Sequence, residues 1–120
     1  QKIKDAIIEL VNQENKLILS KTSHYLAKIL NHSYRYLSGT FSEITYTTIE
    51  NYIILQKIEK VKDMIVAGEL TFTEIAWKLN YSSIAHLSMQ FKNTTGFTPT
   101  LFKKIIIQKK NNLILDTVNK

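Results

Sequence analysis

The sequence predicts an all-α protein of about seven helices, built as two small lobes joined by a long linker helix. Apolar residues recur at the i, i+3, i+4 spacing of a helix face through most of the chain, while strand-like runs bounded by turn residues are missing. Three glycines and one proline are few breaks for 120 residues. A pattern of small and apolar residues also recurs about 50 residues later, as from Leu37 to Leu87, which indicates a repeated helical unit.

Composition excludes several kinds of chemistry. The chain has no cysteine, which excludes disulfides, thiolate chemistry and cysteine-based zinc sites. Its three histidines, His24, His32 and His86, show no ligand spacing. Neither a glycine-rich phosphate loop nor a nucleophile–base pattern occurs. We therefore expect no metal, no cofactor and no enzyme activity.

Charge and hydropathy bear on location and partner. No apolar run is long enough for a membrane span, and the charges Lys2, Lys4 and Asp5 interrupt the start of the chain in a way that does not fit a signal peptide. We therefore expect a cytoplasmic protein with no membrane partner. The formal net charge of +6 favours a polyanionic partner, as a weak indication.

The first lobe is predicted at residues 1–48. Its first helix runs from Lys2 to Gln13 with one apolar face, and the pattern breaks at Asn15 and Lys16. A second helix begins between residues 20 and 23, where several side chains suit an N-cap.

A turn at Asn31 and His32 follows the second helix. Ser33 then caps a third helix, predicted over residues 33–43, in which Leu37 and Phe41 face the core. The outer face of this helix is left free.

The linker helix is predicted at residues 49–67. Thr47 and Glu50 stand at capping-box spacing before it, and Gly68 is a natural stop after it. At ~1.5 Å per residue, this helix is a rod of roughly 28 Å.

The second lobe is predicted at residues 68–108. It is followed by a poorly specified tail at residues 109–120, which carries no clear cap and can be either helical or irregular. Thr71 and Glu74 form another capping box, which begins a short helix.

A turn at residues 80–83 separates this short helix from the next one, predicted over residues 83–93. That helix buries Leu87 and Phe91, and Thr98 followed by Pro99 opens the last helix.

The repeat has a geometric meaning. Five positions in each lobe correspond: Ala27, Leu30, Ser33, Leu37 and Phe41 match Ala76, Leu79, Ser82, Leu87 and Phe91. A small residue, a short turn and an apolar anchor let two helices cross at a wide angle, so that the second projects as a ridge. Two ridges set apart by a rod of roughly 28 Å approximate one turn of B-DNA, ~34 Å, and can enter successive major grooves. The pattern therefore predicts two helix-turn-helix units.

A dense set of positions in the second unit also carries a family resemblance. These positions are Ile75-Ala76, Leu79, Tyr81-Ser82, Leu87-Ser88, Phe91-Lys92, Gly96, Thr98-Pro99 and Phe102-Lys103. They resemble the DNA-binding domain of the AraC/XylS family of bacterial transcription regulators, over residues 20–104. Tyr46 stands where the family often has glycine, and Lys57 where it often has arginine.

The resemblance implies a function and partners. It implies a seven-helix domain with two helix-turn-helix units that binds double-stranded promoter DNA at specific sequences. Family members commonly activate transcription by contacting RNA polymerase. Many carry a separate sensor or oligomerisation domain, so we expect this chain to be the C-terminal portion of such a regulator.

The second helix of each unit, predicted at residues 33–43 and 83–93, is the recognition helix, which enters the major groove. Base contacts are expected on these two helices, at Arg35, Ser38, Ile84, Ala85, Ser88 and Met89. Family analogy places Arg35, the chain's one arginine, in a base-facing position, where it can form two hydrogen bonds to guanine. The alternative is a solvated arginine or a phosphate contact. Ile84 and Met89 can contact thymine methyl groups; the alternative is that they pack against the tail or another subunit.

Phosphate contacts are expected at Ser33, Tyr34, Tyr36, Ser82, Ser83, His86, Lys92, Lys103 and Lys104. The serines also suit helix capping, the tyrosines can instead simply pack, and His86 is equally well explained as a residue that packs between helices. Surface lysines near helix ends are common in any protein.

The leading hypothesis is sequence-specific binding of double-stranded DNA. The alternative is a helical protein-interaction module, which keeps the fold while Gly39, Ile84, Ala85 and Met89 weaken contact with DNA. Steep salt dependence together with a preference for one DNA sequence distinguishes the first from the second.

Overall fold

A computed structural model describes residues 2–12 and 19–118 of the chain. Seven α-helices make up the regular structure of these residues: α1 Lys2–Asn12, α2 Leu19–Leu30, α3 Tyr34–Thr45, α4 Ile49–Ala67, α5 Phe72–Lys78, α6 Ile84–Thr95 and α7 Pro99–Val118. The expected all-α fold of seven helices is confirmed. The predicted break at Asn15 and Lys16 lies outside the described residues.

Several helix ends differ from the sequence prediction. Helix α2 begins at Leu19, so the predicted caps at residues 20–23 lie inside the helix. The recognition helices α3 and α6 each continue two residues beyond their predicted ends at 43 and 93. Helix α7 runs without a break to Val118, through the segment predicted as a tail. Each difference lengthens a helix, because adding a residue to an existing helix is far easier than starting one.

The first lobe packs around a core supplied by α1, α2, α3 and the start of α4. Its buried residues are Ala6, Ile7, Leu26, Leu37, Phe41 and Ile49. Ile7 and Leu26 have no exposed surface, which shows that α1 belongs to this lobe rather than to an appendage. Burial of such a side chain stabilises the fold by about 1.5–3 kcal/mol before entropic costs.

The second lobe has a core of its own, supplied by the rest of α4 with α5 and α6. Its buried residues are Ile58, Val61, Ile65, Ile75, Ala76, Leu79, Tyr81, Leu87 and Phe91. The two cores divide within α4, because Ile53 packs on the first core and the adjacent Ile54 on the second. Helix α4 is therefore a structural part of both lobes.

The molecule is elongated. Its principal extents are 58 × 29 × 22 Å and its radius of gyration is 17.2 Å. A compact domain of this length would have a radius of gyration of about 14 Å. The larger radius of gyration is explained by the arrangement of two small cores along a rod. Helix α7 also lies against the end of that rod, since Lys110 Nζ donates to the carbonyl oxygen of Val66 at 2.9 Å.

The two lobes repeat one packing arrangement. In the first lobe the Phe41 and Tyr52 rings meet edge to face, with centroids 5.5 Å apart at 66°. In the second lobe Phe91 and Phe102 meet with centroids 5.5 Å apart at 68°. Each pair joins the recognition helix of a lobe to the helix that follows it. The recurrence in the sequence is therefore a recurrence in structure.

The turn after each recognition helix uses a left-handed residue. Tyr46 has φ 60° and donates its N–H to the Ser42 carbonyl. Gly96 has φ 85° and donates to the Lys92 carbonyl. The left-handed conformation suits glycine and is costly for a tyrosine, since its Cβ crowds the next carbonyl. The first lobe thus keeps the turn at the expense of backbone strain.

The cap of α4 corrects the sequence prediction. The N-cap is Thr48, whose hydroxyl accepts the N–H of Asn51 at 3.0 Å, rather than Thr47 paired with Glu50. The capping box at Thr71 and Glu74 is present as predicted. The αL stop at Gly68 is confirmed as well.

Candidate nucleic-acid interface

Each recognition helix begins in the same way. A left-handed asparagine ends the preceding helix, Asn31 with φ 55° and Asn80 with φ 64°. A serine then caps the recognition helix: Ser33 Oγ accepts the Tyr36 N–H at 3.2 Å, and Ser83 Oγ accepts the His86 N–H at 3.0 Å. Ser33 and Ser83, two of the three serines predicted as phosphate contacts, therefore already fix the first turn of each helix. The structural counterpart of Ser33 in the second lobe is Ser83, whereas the repeat in the sequence predicts Ser82.

Helix α3 buries Leu37 and Phe41 and turns its other side outward. On that outer side Arg35 is exposed and Ser38 is half-buried. The Arg35 guanidinium has no hydrogen-bond or ion-pair partner among the described residues. All its donors are therefore available to a ligand, which is what a contact with guanine or phosphate requires.

Tyr34 lies elsewhere than its predicted role suggests. Its hydroxyl donates to Glu50 Oε1 at 2.7 Å, which ties the start of α3 to the start of α4. Burial, followed by this bond, raises the pKa of the Tyr34 hydroxyl well above its ordinary value. The hydroxyl is thus held by the linker helix, away from the free surface expected for a phosphate contact.

An aromatic pair that sequence reasoning missed borders the start of α3. The rings of His32 and Tyr36 lie 4.7 Å apart at 32°. Both residues are exposed, and Tyr36 shows 55% of its surface. Their i, i+4 spacing across a turn was the available signal, although a turn residue does not normally follow helix spacing.

Gly39 leaves the middle of α3 open. A Cβ built at this position has no heavy atom within 4 Å, apart from its chain neighbours and the adjacent backbone of the helix itself. Nothing inside the molecule therefore requires glycine here.

Helix α6 presents an apolar outer face. Leu87 and Phe91 are fully buried, whereas Ile84 is 43% and Met89 59% exposed. Ala85 is exposed and Ser88 is half-buried beside them. The four predicted base-contact residues of α6 therefore all lie outside the buried stripe, spread over about 140° of the helix surface.

Tyr81 joins three elements at the start of α6, a role the sequence did not reveal. It is 7% exposed and its hydroxyl donates to Gln90 Oε1 at 2.7 Å. Lys57 Nζ of the linker helix lies 4.8 Å from the centroid of its ring. Burial lowers the pKa of the Lys57 ammonium, while the ring face attracts its charge. The side chain thus links α4 to the turn before α6.

His86 lies partly under this cluster. Its ring meets that of Tyr81 edge to face at 5.1 Å, and its Nδ1 is 3.2 Å from Ser82 Oγ. The half-buried ring fits the packing interpretation of His86. Ser82 and His86 together form the rim of the turn.

The net positive charge of the chain lies in the segment that runs from α5 to α7. Residues 75–115 contain six lysines and no aspartate or glutamate, so this segment carries +6, equal to the net charge of the whole chain. Five of these lysines are exposed, among them Lys92, Lys103 and Lys104. Lys103 Nζ also lies 5.5 Å from the centroid of the Phe72 ring. An excess of exposed lysines in this segment favours a polyanionic partner over a basic one.

In the part of the chain that the structure describes, no group of three or more histidines, aspartates and glutamates could hold a metal ion. No described helix is long and apolar enough to cross a membrane.

Comparison with known proteins gives the same picture. The model of the family described as "Helix-turn-helix domain" matches residues 26–105. The Msm operon regulatory protein of Streptococcus mutans is 32% identical over 101 residues, which are 80% of this chain and 36% of that protein. The chain spans about a third of the length of the curated relatives it matches.

Solved structures share the fold. An AraC-type transcriptional regulator from Chromobacterium violaceum superposes with a TM-score of 0.75 at 18% identity, covering 90% of this chain and 95% of that one. The DNA-binding domain of AdpA, solved in complex with a target DNA, gives a TM-score of 0.75 at 14% identity, covering 92% and 94%.

The family assignment follows from three agreeing results: the match of the family model, the repeated helix-turn-helix geometry and the shared fold. The members of this family are DNA-binding domains and not enzymes, as the sequence analysis predicts. The chain belongs to the helix-turn-helix family as an AraC-type DNA-binding domain of a transcription regulator.

Proposed function

We propose that the chain binds double-stranded DNA at specific sequences, with α3 and α6 in successive major grooves. The observation that carries this proposal is the repeat: two recognition helices with buried anchors and open outer faces, linked by the 19-residue helix α4. At ~1.5 Å per residue, α4 is about 28 Å long, close to the ~34 Å repeat of B-DNA. The AdpA domain, which shares this fold, was solved in complex with a target DNA, and this supports DNA binding here.

The proposed contacts divide by chemistry. Base contacts are assigned to Arg35 and Ser38 on α3, and to Ile84, Ala85, Ser88 and Met89 on α6. Phosphate contacts are assigned to Tyr36, His86, Lys92, Lys103 and Lys104, with Ser33, Ser82 and Ser83 contributing at the helix starts. Tyr34 is a weaker candidate, because its hydroxyl already donates to Glu50. Phosphate contacts set affinity and position, whereas base contacts set specificity.

The biological role is proposed by extension from relatives. The Msm operon regulatory protein is named for the control of an operon, and we propose that this chain likewise directs a regulator to a promoter. Contact with RNA polymerase and a separate sensor or oligomerisation domain are part of the same proposal. The place of action is the bacterial cytoplasm, where promoter DNA lies.

Titration of labelled DNA at two salt concentrations tests the proposal. A pool of random duplexes is first selected for binding, and the selected duplex is compared with a scrambled one. If Lys92, Lys103 and Lys104 contact phosphates, log K should fall with log salt at a slope of about −3 or steeper. The selected duplex should bind more tightly at both concentrations. Failure to bind any duplex at low salt would exclude DNA binding.

A second candidate, a protein-interaction module, is favoured by one observation. Ile84 and Met89 are large apolar residues exposed on α6, and exposed apolar surface often binds protein. The segment that contains α6, residues 75–115, has six lysines and no acidic residue, and this favours DNA over the alternative. The same titration separates the two, because a protein-interaction module has no sequence preference among duplexes.

A further inference from the structure

We infer that α6 recognises two or three consecutive thymines through their 5-methyl groups, so that the half-site beneath the second lobe is rich in A·T pairs. This inference rests on the DNA-binding mode proposed above. It assigns the two recognition helices different kinds of base: guanine through the arginine of α3, and thymine through the apolar face of α6.

The outer face of α6 offers apolar atoms where a helix in the groove normally offers hydrogen bonds. Ile84 is 43% and Met89 59% exposed, and Ala85 is exposed between them. Thymine is the base that carries an apolar group in the major groove, its C5-methyl. These side chains therefore match thymine better than any other base.

The polar groups near this face are largely occupied. Ser83 Oγ caps the helix, Ser82 Oγ lies 3.2 Å from His86 Nδ1, and Gln90 Oε1 accepts the Tyr81 hydroxyl. A bidentate contact to adenine or guanine needs a long amide or a cation with both groups free. The first two turns of α6 hold no free group of that kind on the outer face, where Ser88 is the remaining hydroxyl.

The surroundings indicate that nucleic acid, rather than a protein, covers the face. Residues 75–115 carry six lysines and no acidic residue. An apolar patch within a segment whose charged residues are all lysines fits a ligand that offers both methyl groups and phosphates. A protein surface would need its own excess of acidic residues to match.

The spacing of the face sets the number of bases. Met89 follows Ile84 by five positions, which is about 7.5 Å along the helix axis at ~1.5 Å per residue. Successive base pairs are ~3.4 Å apart. The three apolar residues therefore span about two base steps, which is enough for two or three adjacent pairs.

Replacement of thymine by deoxyuridine tests this, because it removes the methyl group and leaves the hydrogen-bonding edge intact. In the duplex selected by the chain, each thymine is replaced in turn and Kd is measured at fixed salt. Each contacted methyl should contribute about four-fold to affinity, from the transfer free energy of one methylene-sized group. The losses should cluster at adjacent positions in one half-site and be absent from the other.

Side-chain variants assign the effect to α6. In Ile84→Ala and Met89→Ala, the difference in Kd between thymine and deoxyuridine should shrink at the contacted positions, while affinity for scrambled DNA is kept. Leu55→Ala is the matched control, because Leu55 is 46% exposed on α4, outside both recognition helices. This control should retain the full difference.

The outcomes separate the inference from the proposed function. Selective binding of a duplex in which deoxyuridine has no effect overturns thymine recognition and leaves DNA binding intact. Equal loss for thymine and deoxyuridine duplexes in both α6 variants also overturns it, since the side chains then act through the fold. Absence of binding to any DNA at low salt removes both.

Discussion

Arg35 and Lys92 are both exposed cations on recognition helices, yet we expect different effects from their loss. Arg35→Ala should reduce the preference for the selected duplex over a scrambled one by about 5- to 160-fold, the equivalent of ~1–3 kcal/mol for a bidentate contact. Lys92→Ala should weaken binding to both duplexes alike. Kd measurements on the two duplexes check this. An equal loss on both for Arg35→Ala would show that Arg35 contacts phosphate.

Tyr46 is a residue whose replacement should stabilise the fold. It holds φ 60° and is 93% exposed, so its side chain contributes strain and almost no packing. Tyr46→Gly should raise the free energy of unfolding by about 0.5–1 kcal/mol, measured by urea denaturation. The reciprocal control is Gly96→Ala, since a Cβ at Gly96 meets nothing within 4 Å and only φ 85° opposes it. That variant should lose a similar amount; a gain would contradict the backbone explanation.

At the residue scale, local signals were readable and distant ones were not. The box at Thr71 and Glu74 spans four residues, so the sequence contains the whole motif. The sequence predicts the cap of α4 one residue too early, because the neighbouring threonines Thr47 and Thr48 offer equivalent hydroxyls. The bond from Tyr34 to Glu50 joins residues 16 apart, and no local pattern encodes it. The DNA-contact roles of the site residues stay predictions, since they depend on a ligand.

Among the elements, α5 depends most visibly on its cap. The Thr71 backbone N–H donates to Glu74 Oε1 at 3.0 Å, and this bond, ahead of the Thr71 side chain, lowers the pKa of the Glu74 carboxyl. A lowered folded-state pKa gives stability that is present above the unfolded pKa and is lost as the pH falls through the folded pKa. The capping contribution should therefore disappear in acid, below an unfolded value of 4.5.

Glu74→Gln tests this contribution. The wild-type midpoint of thermal unfolding should fall between pH 5 and pH 3 by more than that of Glu74→Gln, because the variant has no carboxylate to protonate. Glu69→Gln is a control at an exposed carboxylate in the loop that precedes α5. Parallel curves for wild type and Glu74→Gln would show that the charge on Glu74 does not stabilise α5.

The periodicity of each element predicted its inward face, but not its contacts with other elements. Leu37, Phe41, Leu87 and Phe91 are buried as expected from helix spacing. The approach of Lys57 to the Tyr81 ring depends on how α4 crosses the turn before α6, which periodicity does not encode. Helix α7 continued further than predicted because its sequence lacks a stop signal as well as a cap.

For the whole molecule, two cores with no buried residue in common predict partly independent unfolding. Phe91 has no exposed surface, and Phe91→Ala should cost about 3–5 kcal/mol, more than a lobe of this size readily spares. Amide hydrogen exchange should then accelerate in α5, α6 and α7 while α1, α2 and α3 keep most of their protection. Phe41→Ala should give the reverse. Equal acceleration in both lobes for either variant would show one cooperative unit.

The division of two cores between Ile53 and Ile54 makes the length of α4 resistant to evolutionary change. One inserted residue would rotate the second lobe by about 100° around the helix axis. A seven-residue insertion restores that rotation to within ~20° but adds about 10 Å, nearly a third of a turn of B-DNA. A viable insertion must satisfy the periods of both helices, protein and nucleic acid, at once. An insertion or deletion in this rod is therefore costlier than a substitution at one of its exposed positions.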